Sequence, residues 1–145
     1  MSLPDHIGWD LVRAARLWEH RFATEMVAAG HPWFAEARGR LIEFIGRDGI
    51  AQNELHKRAG ATKQAVAQHV DRLVSDGVIA RLPDPEDHRR RRLVFTQKGR
   101  AALRDADRIK GEIERAFARS MGPESLSVLR LGLKTLIDAE SRQAS

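Results

Sequence analysis

The sequence predicts a mainly α chain of the α+β class, and three observations carry that prediction. Apolar residues recur at helical spacing over both ends of the chain. Two short helical stretches meet at Gly60 and are followed at once by two β-friendly stretches. Between the β stretches lies DPEDHRRRR, residues 84–92, a segment too charged for any core.

The elements follow in order. Ile7, Leu11, Ala14, Ala15, Trp18, Phe22 and Met26 mark a long amphipathic helix over about 6–29, with Gly30 as its stop. Pro32 suits the first turn of a second helix, expected over 32–47, with Phe34, Ala37, Leu41, Phe44 and Ile45 on one side. Gly46 and Gly49 bracket its end, and Ile50 reads as an apolar link. A short helix around Leu55, about 52–58, ends before Gly60. Thr62 is a good N-cap for the next, 63–75, because its hydroxyl can accept from free N–H groups of the first turn. Val66, Val70 and Leu73 form that helix's apolar stripe.

Residues 78–82 and 92–96 read as two strands of a β-hairpin, with Pro83 and Pro85 interrupting the pairing. Thr96 can cap a long helix over 97–119, whose stripe is Ala102, Ala106, Ile109, Ile113, Ala116 and Phe117. Gly122-Pro123 opens a last helix to about 140, with Leu126, Leu129, Leu133, Leu136 and Ile137 on one face and a frayed tail from Ser141. Two short helices about a glycine-containing turn form a helix-turn-helix, and the hairpin makes it a winged one.

Bulk composition narrows the function. The 145 residues suit one domain, and 42% hydrophobic with 31% charged residues describes a globular chain. Cysteine is absent, which excludes disulfides, thiolate metal sites and cysteine redox sensing. The sequence has no membrane-spanning stretch, and Met1-Ser2-Leu3-Pro4 has no leader character, so a cytoplasmic location is expected. Net charge is −1 over residues 1–50, +5 over 51–100 and +1 over 101–145. A cationic middle between near-neutral ends points to a polyanion, most often nucleic acid.

The side chains agree. On the helix 63–75, Gln64, Gln68 and Arg72 point away from the apolar stripe, with Thr62 and Lys63 at its start. A major groove admits a helix, where Gln can pair with adenine and Arg with guanine or phosphate. Arg89, Arg90 and Arg91 sit at the hairpin tip, suited to a narrow minor groove. Asp84, Glu86 and Asp87 would orient them. Enzyme signatures are missing: no phosphate loop, GxSxG or HExxH occurs, and the six histidines contain no i, i+4 pair. No catalysis, metal or cofactor is therefore expected.

Residues 50–99 resemble the MarR family of winged helix-turn-helix transcription regulators. Leu55, Gly60, Val66, Val70, Asp71, Arg72, Leu73 and Gly77 match its helix-turn-helix rhythm. RLPDPEDHRRRRLVFTQKG, residues 81–99, matches its wing, including Asp87, Arg89, Thr96 and Gly99. The resemblance implies a single 1–145 MarR-like domain, with a winged DNA-binding lobe at 32–99. Residues 1–30 and 100–145 would form a helical dimerisation region. It implies a homodimeric repressor on a pseudo-palindromic double-stranded DNA operator. It also implies release by a small, often aromatic anion, for which Arg16, Trp18, His20, Trp33 and Phe34 are the candidate contacts. His56 stands where the family usually has Ala, and Ala51 where it has Thr or Ser. Ala65, Gln68, His69 and His88 also depart from the pattern, so operator preference is this chain's own. Those departures keep open a second expectation, a winged-helix protein-interaction or ligand-binding module with weak DNA affinity.

Overall fold

In a computed structural model, residues 5–144 are described; Met1–Pro4, the expected leaderless start, and Ser145 lie outside them. The chain divides into two compact units, Met1–Asp107 and Arg108–Ser145.

In the first unit, α1 runs Ile7–Ala28, with the His6 ring accepting from the Gly8 N–H at its start. Helix α2 is only Ile42–Ile45, and β1 is Ile50–Ala51. Helix α3 spans Gln52–Ala59 and α4 spans Lys63–Ser75. Strands β2 (Ile79–Pro83) and β3 (Arg91–Phe95) form the wing, and α5 (Gln97–Met121) follows. Helix α6, Pro123–Gln143, lies in the second unit.

One expected element is corrected. The helix foreseen over 32–47 is two 3₁₀ turns, Pro32–Ala35 and Ala37–Leu41, followed by the single turn of α2. Glu36 between the turns is extended, at φ −110° and ψ 162°. Gly39 is buried so close to the preceding turn that a Cβ there would sit 2.7 Å from the Trp33 carbonyl oxygen. The apolar residues fit a helical period, but this fold-back overrides it. Ile50 is likewise more than a link. It pairs with Leu93 as β1, giving an antiparallel sheet in the order β1-β3-β2. The tail from Ser141 also differs from expectation, because α6 continues to Gln143.

The helix-turn-helix and its wing share one core. Leu55, Val66, Val70, Leu73, Val78, Ile79, Leu93 and Phe95 are buried together with Ile42, Ile45 and Ile50. Each such side chain contributes about 1.5–3 kcal/mol through area removed from water. Gly60 takes a left-handed conformation, φ 62°, which turns α3 into α4. At the wing's base, Thr96 accepts from the Gly99 N–H at 3.1 Å and donates to the Gly77 carbonyl at 2.5 Å. That one hydroxyl therefore caps α5 and closes the end of α4.

Candidate nucleic-acid interface

Helix α4 begins as the sequence implies. Thr62 is extended, and its hydroxyl accepts from the Ala65 N–H at 3.2 Å. The cap fixes the first turn, which carries Lys63 and Gln64. With Val66, Val70 and Leu73 buried, the opposite side must face solvent. Lys63, Gln64, Gln68 and Arg72 are all exposed there. Asp71 shares that side but is held by Arg81 of β2.

The wing is anchored by its apolar face and projects at its tip. Leu93 and Phe95 are buried, while Arg89, Arg90 and Arg91 are exposed. The Arg89 side chain is 92% exposed. Of the three neighbouring acids, Asp87 is the one that orients arginines. Its carboxylate accepts from the Arg89 backbone N–H at 3.0 Å and from Nε at 3.2 Å, and lies 3.6 Å from Arg90 Nε. These N–H groups, the backbone one foremost, hold the Asp87 carboxyl below its ordinary value. Asp84 instead turns inward. It is buried, and its side chain accepts from the Glu86 N–H at 2.9 Å, bracing the loop itself. Arg92 faces away from the tip. It donates to the carbonyls of Asp48 and Gly49, fastening β3 to the turn before β1.

Helix and wing open onto a common cleft of about 490 Å³. Lys63, Val66 and Ala67 line it from α4, and Arg89, Arg90 and Arg91 line it from the wing. Its third side is Gln52, Asn53 and His56 of α3. Those three were not among the sequence-derived contacts. They share one flank of α3, but only the folded-back wing reveals that this flank borders the cationic surface. Arg81 is the other omission. Its Nε donates to Gln52 at 3.0 Å, and its Nη2 contacts Asp71.

The proposed effector contacts divide. Trp18 stacks on Phe22 at 5.2 Å between ring centres, Phe22 meets Phe34 edge-on, and Phe34 stacks on Trp33 at 4.1 Å. Trp18, Phe34 and Trp33 thus belong to one aromatic run. Arg16 and His20 are exposed, each two residues from Trp18 and so on the far side of α1. No group of three or more possible metal ligands occurs among the described residues, and no described helix is long and apolar enough to cross a membrane.

This architecture, a helix-turn-helix with a cationic wing on a shared core, defines a winged helix-turn-helix protein. A MarR family model matches residues 37–90, from the second 3₁₀ turn to the wing tip. The chain is 29% identical over 111 residues to the HTH-type transcriptional regulator PetP of Rhodobacter capsulatus, covering 76% of this chain and 67% of that one. It shares its fold with RV1404 from Mycobacterium tuberculosis, with TM-score 0.78 at 22% identity over 96% of this chain and 97% of that one. The same holds for a mutant MarR from E. coli complexed with operator DNA, with TM-score 0.68 at 20% identity over 90% and 92%. Over its helix-turn-helix and wing the chain is thus similar to the MarR family.

Proposed function

We propose that this chain is a sequence-specific, DNA-binding transcription regulator that works as a homodimeric repressor. The observation that carries the reading is the shared cleft. The polar face of α4 and the arginines of the wing border one space, each held there by a buried apolar face. Gln64 and Gln68 would read base edges, Arg72 and Lys63 would clamp backbone, and Arg89–Arg91 would enter the minor groove. The relatives named as transcriptional regulators, and the MarR complex with operator DNA, support the same reading.

The dimer rests on apolar surface. Ile7, Trp9, Val12 and Leu17 of α1 are exposed, as are Val128, Leu129, Leu131, Leu136 and Ile137 of α6. So many large apolar side chains in water on two helices call for a second copy to cover them. Two-fold symmetry then makes the operator pseudo-palindromic. The effector reading rests on the half-buried Trp18 and Phe34, against which a flat aromatic anion would lie, whereas Trp33 is buried in the core behind Phe34.

Selection of bound sequences from a random DNA pool tests the proposal. A palindromic consensus is expected, and affinity should fall steeply with salt, by about 0.9 log units per log unit for each neutralised phosphate. Replacing Arg89, Arg90 and Arg91 together by Ala should flatten that slope. No enriched sequence would sink the regulator reading and favour a winged module with another partner.

A further inference from the structure

We propose that DNA binding by this chain takes up a proton at His56. The inference rests on the DNA-binding reading above and concerns the same cleft. A helix in the major groove and a wing in the neighbouring minor groove lie on either side of one sugar–phosphate backbone. The space between α4 and the wing is therefore the passage for that backbone. Here it is bordered by Lys63 on one side, by Arg89, Arg90 and Arg91 on the other, and by α3 on the third. His56 stands on that third side, half-buried.

Lys63 and the three arginines are charged at every physiological pH. Histidine is the side chain whose charge changes near neutrality. The charged groups that share the cleft with His56 are all cations. Carboxylates on α3, α4 and the wing are engaged by other cations: Glu54 by Lys57, Asp71 by Arg81, and Asp87 by Arg89 and Arg90. Arg58, also on α3, adds a further positive charge. A phosphate entering the passage reverses the sign of the field at the imidazole. It also supplies an acceptor for a charge-assisted hydrogen bond. The bound complex thus favours the imidazolium more than the free chain does, and binding must draw in a proton.

Linkage fixes the sign: where the complex holds more protons than the free protein, affinity rises as pH falls. One titrating group limits the effect to about tenfold per pH unit. The test measures binding of the full chain to a mixed-sequence duplex about three helical turns long, at fixed salt, from pH about 8 to 6. Wild type, His56→Gln, His69→Gln and His88→Gln are compared, with circular dichroism at each pH to confirm the fold. A several-fold gain per pH unit is expected in wild type and in the His69 and His88 variants, and a flat profile in His56→Gln. Titration calorimetry of wild type in buffers of different ionisation enthalpy counts the proton directly, whether or not His56→Gln folds. A gain that survives His56→Gln, or zero proton uptake by wild type with its salt dependence intact, overturns the inference and leaves the DNA-binding reading standing. No binding at any pH or salt overturns that reading as well.

Discussion

Arg81 of β2 donates its Nε–H to the Gln52 side-chain oxygen at 3.0 Å and sets Nη2 on the Asp71 carboxylate, so one guanidinium ties the wing to both helices of the motif. Arg81→Ala removes both ties. The loss in unfolding free energy should be about 1 kcal/mol, because Asp71 is largely exposed and its ion pair is screened. DNA discrimination should suffer more than stability does, since α4 and the wing lose their common reference. The expected outcome is a narrower gap between selected and mixed-sequence DNA, with an unchanged salt slope. Arg81→Lys should behave like Ala, because a point charge cannot make the forked contact. Salt titrations on both duplexes check this, and a reduced slope would put Arg81 on phosphate instead.

A second long-range tie joins His31 to Asp105. The ring's Nε2–H donates to the carboxylate at 2.8 Å, linking the segment after α1 to α5. His31 is buried and Asp105 is half-buried. Asp105→Ala leaves a buried N–H without this acceptor, at a cost of about 1–3 kcal/mol. Asp105→Asn keeps an acceptor oxygen and should cost less. Urea unfolding of the two variants measures the difference, and an Asp105→Ala protein as stable as wild type would show that the hydrogen bond contributes nothing.

These ties explain which parts of the molecule were legible in the sequence. Helices α3 and α4 and the wing could be read because their signals are local. Gly60 turns the chain, Thr62 caps, Val66, Val70 and Leu73 keep a helical period, and Leu93 and Phe95 alternate. The segment 32–47 is not one helix although Phe34, Ala37, Leu41 and Ile45 satisfy a helical period. The two turns fold against each other at Gly39, which lies too close to the backbone of Trp33 and Phe34 to carry a Cβ, and a hydrophobic period does not encode that approach. The strand β1 is two residues long, and its partner Leu93 lies far along the chain. In the candidate site, α4 and the arginines announced themselves by charge and periodicity. Gln52, Asn53, His56 and Arg81 gained their place only when the wing folded back across α3.

The wing tip should keep its shape in mild acid. The backbone and side chain of Arg89, with Arg90 adding its charge, hold the Asp87 carboxyl below its ordinary value of 3.8. A carboxyl with a lowered folded value contributes stability above its unfolded pKa and loses it as pH falls through the folded one. The contacts to Arg89 should therefore be complete at pH about 5 and fail only below the ordinary carboxylate range. Nuclear magnetic resonance of the Arg89 amide during an acid titration follows this, and a midpoint at or above the ordinary value would refute it. Asp87→Asn should remove the titration and loosen the tip. That variant should weaken DNA binding despite the gain in net positive charge, because unfixed arginines lose more conformational freedom on binding.

Leu131 of α6 is 67% exposed, with Val128 at 72% one turn earlier. In a lone chain, Leu131→Glu would replace exposed apolar surface with a group that prefers water, at almost no cost. In a homodimer covered through α6, the same carboxylate is taken out of water. An unpaired buried charge of that kind costs about 3–5 kcal/mol, and two-fold symmetry makes both copies bear it. The variant should therefore keep its helix content by circular dichroism yet sediment as a monomer where wild type sediments as a dimer. Its affinity for a full palindrome should fall towards that for a half-site, because the second lobe no longer arrives with the first. A Leu131→Glu protein that sediments like wild type would remove this part of α6 from the interface. A wild type that sediments as a monomer would remove the physical reason for a palindromic operator.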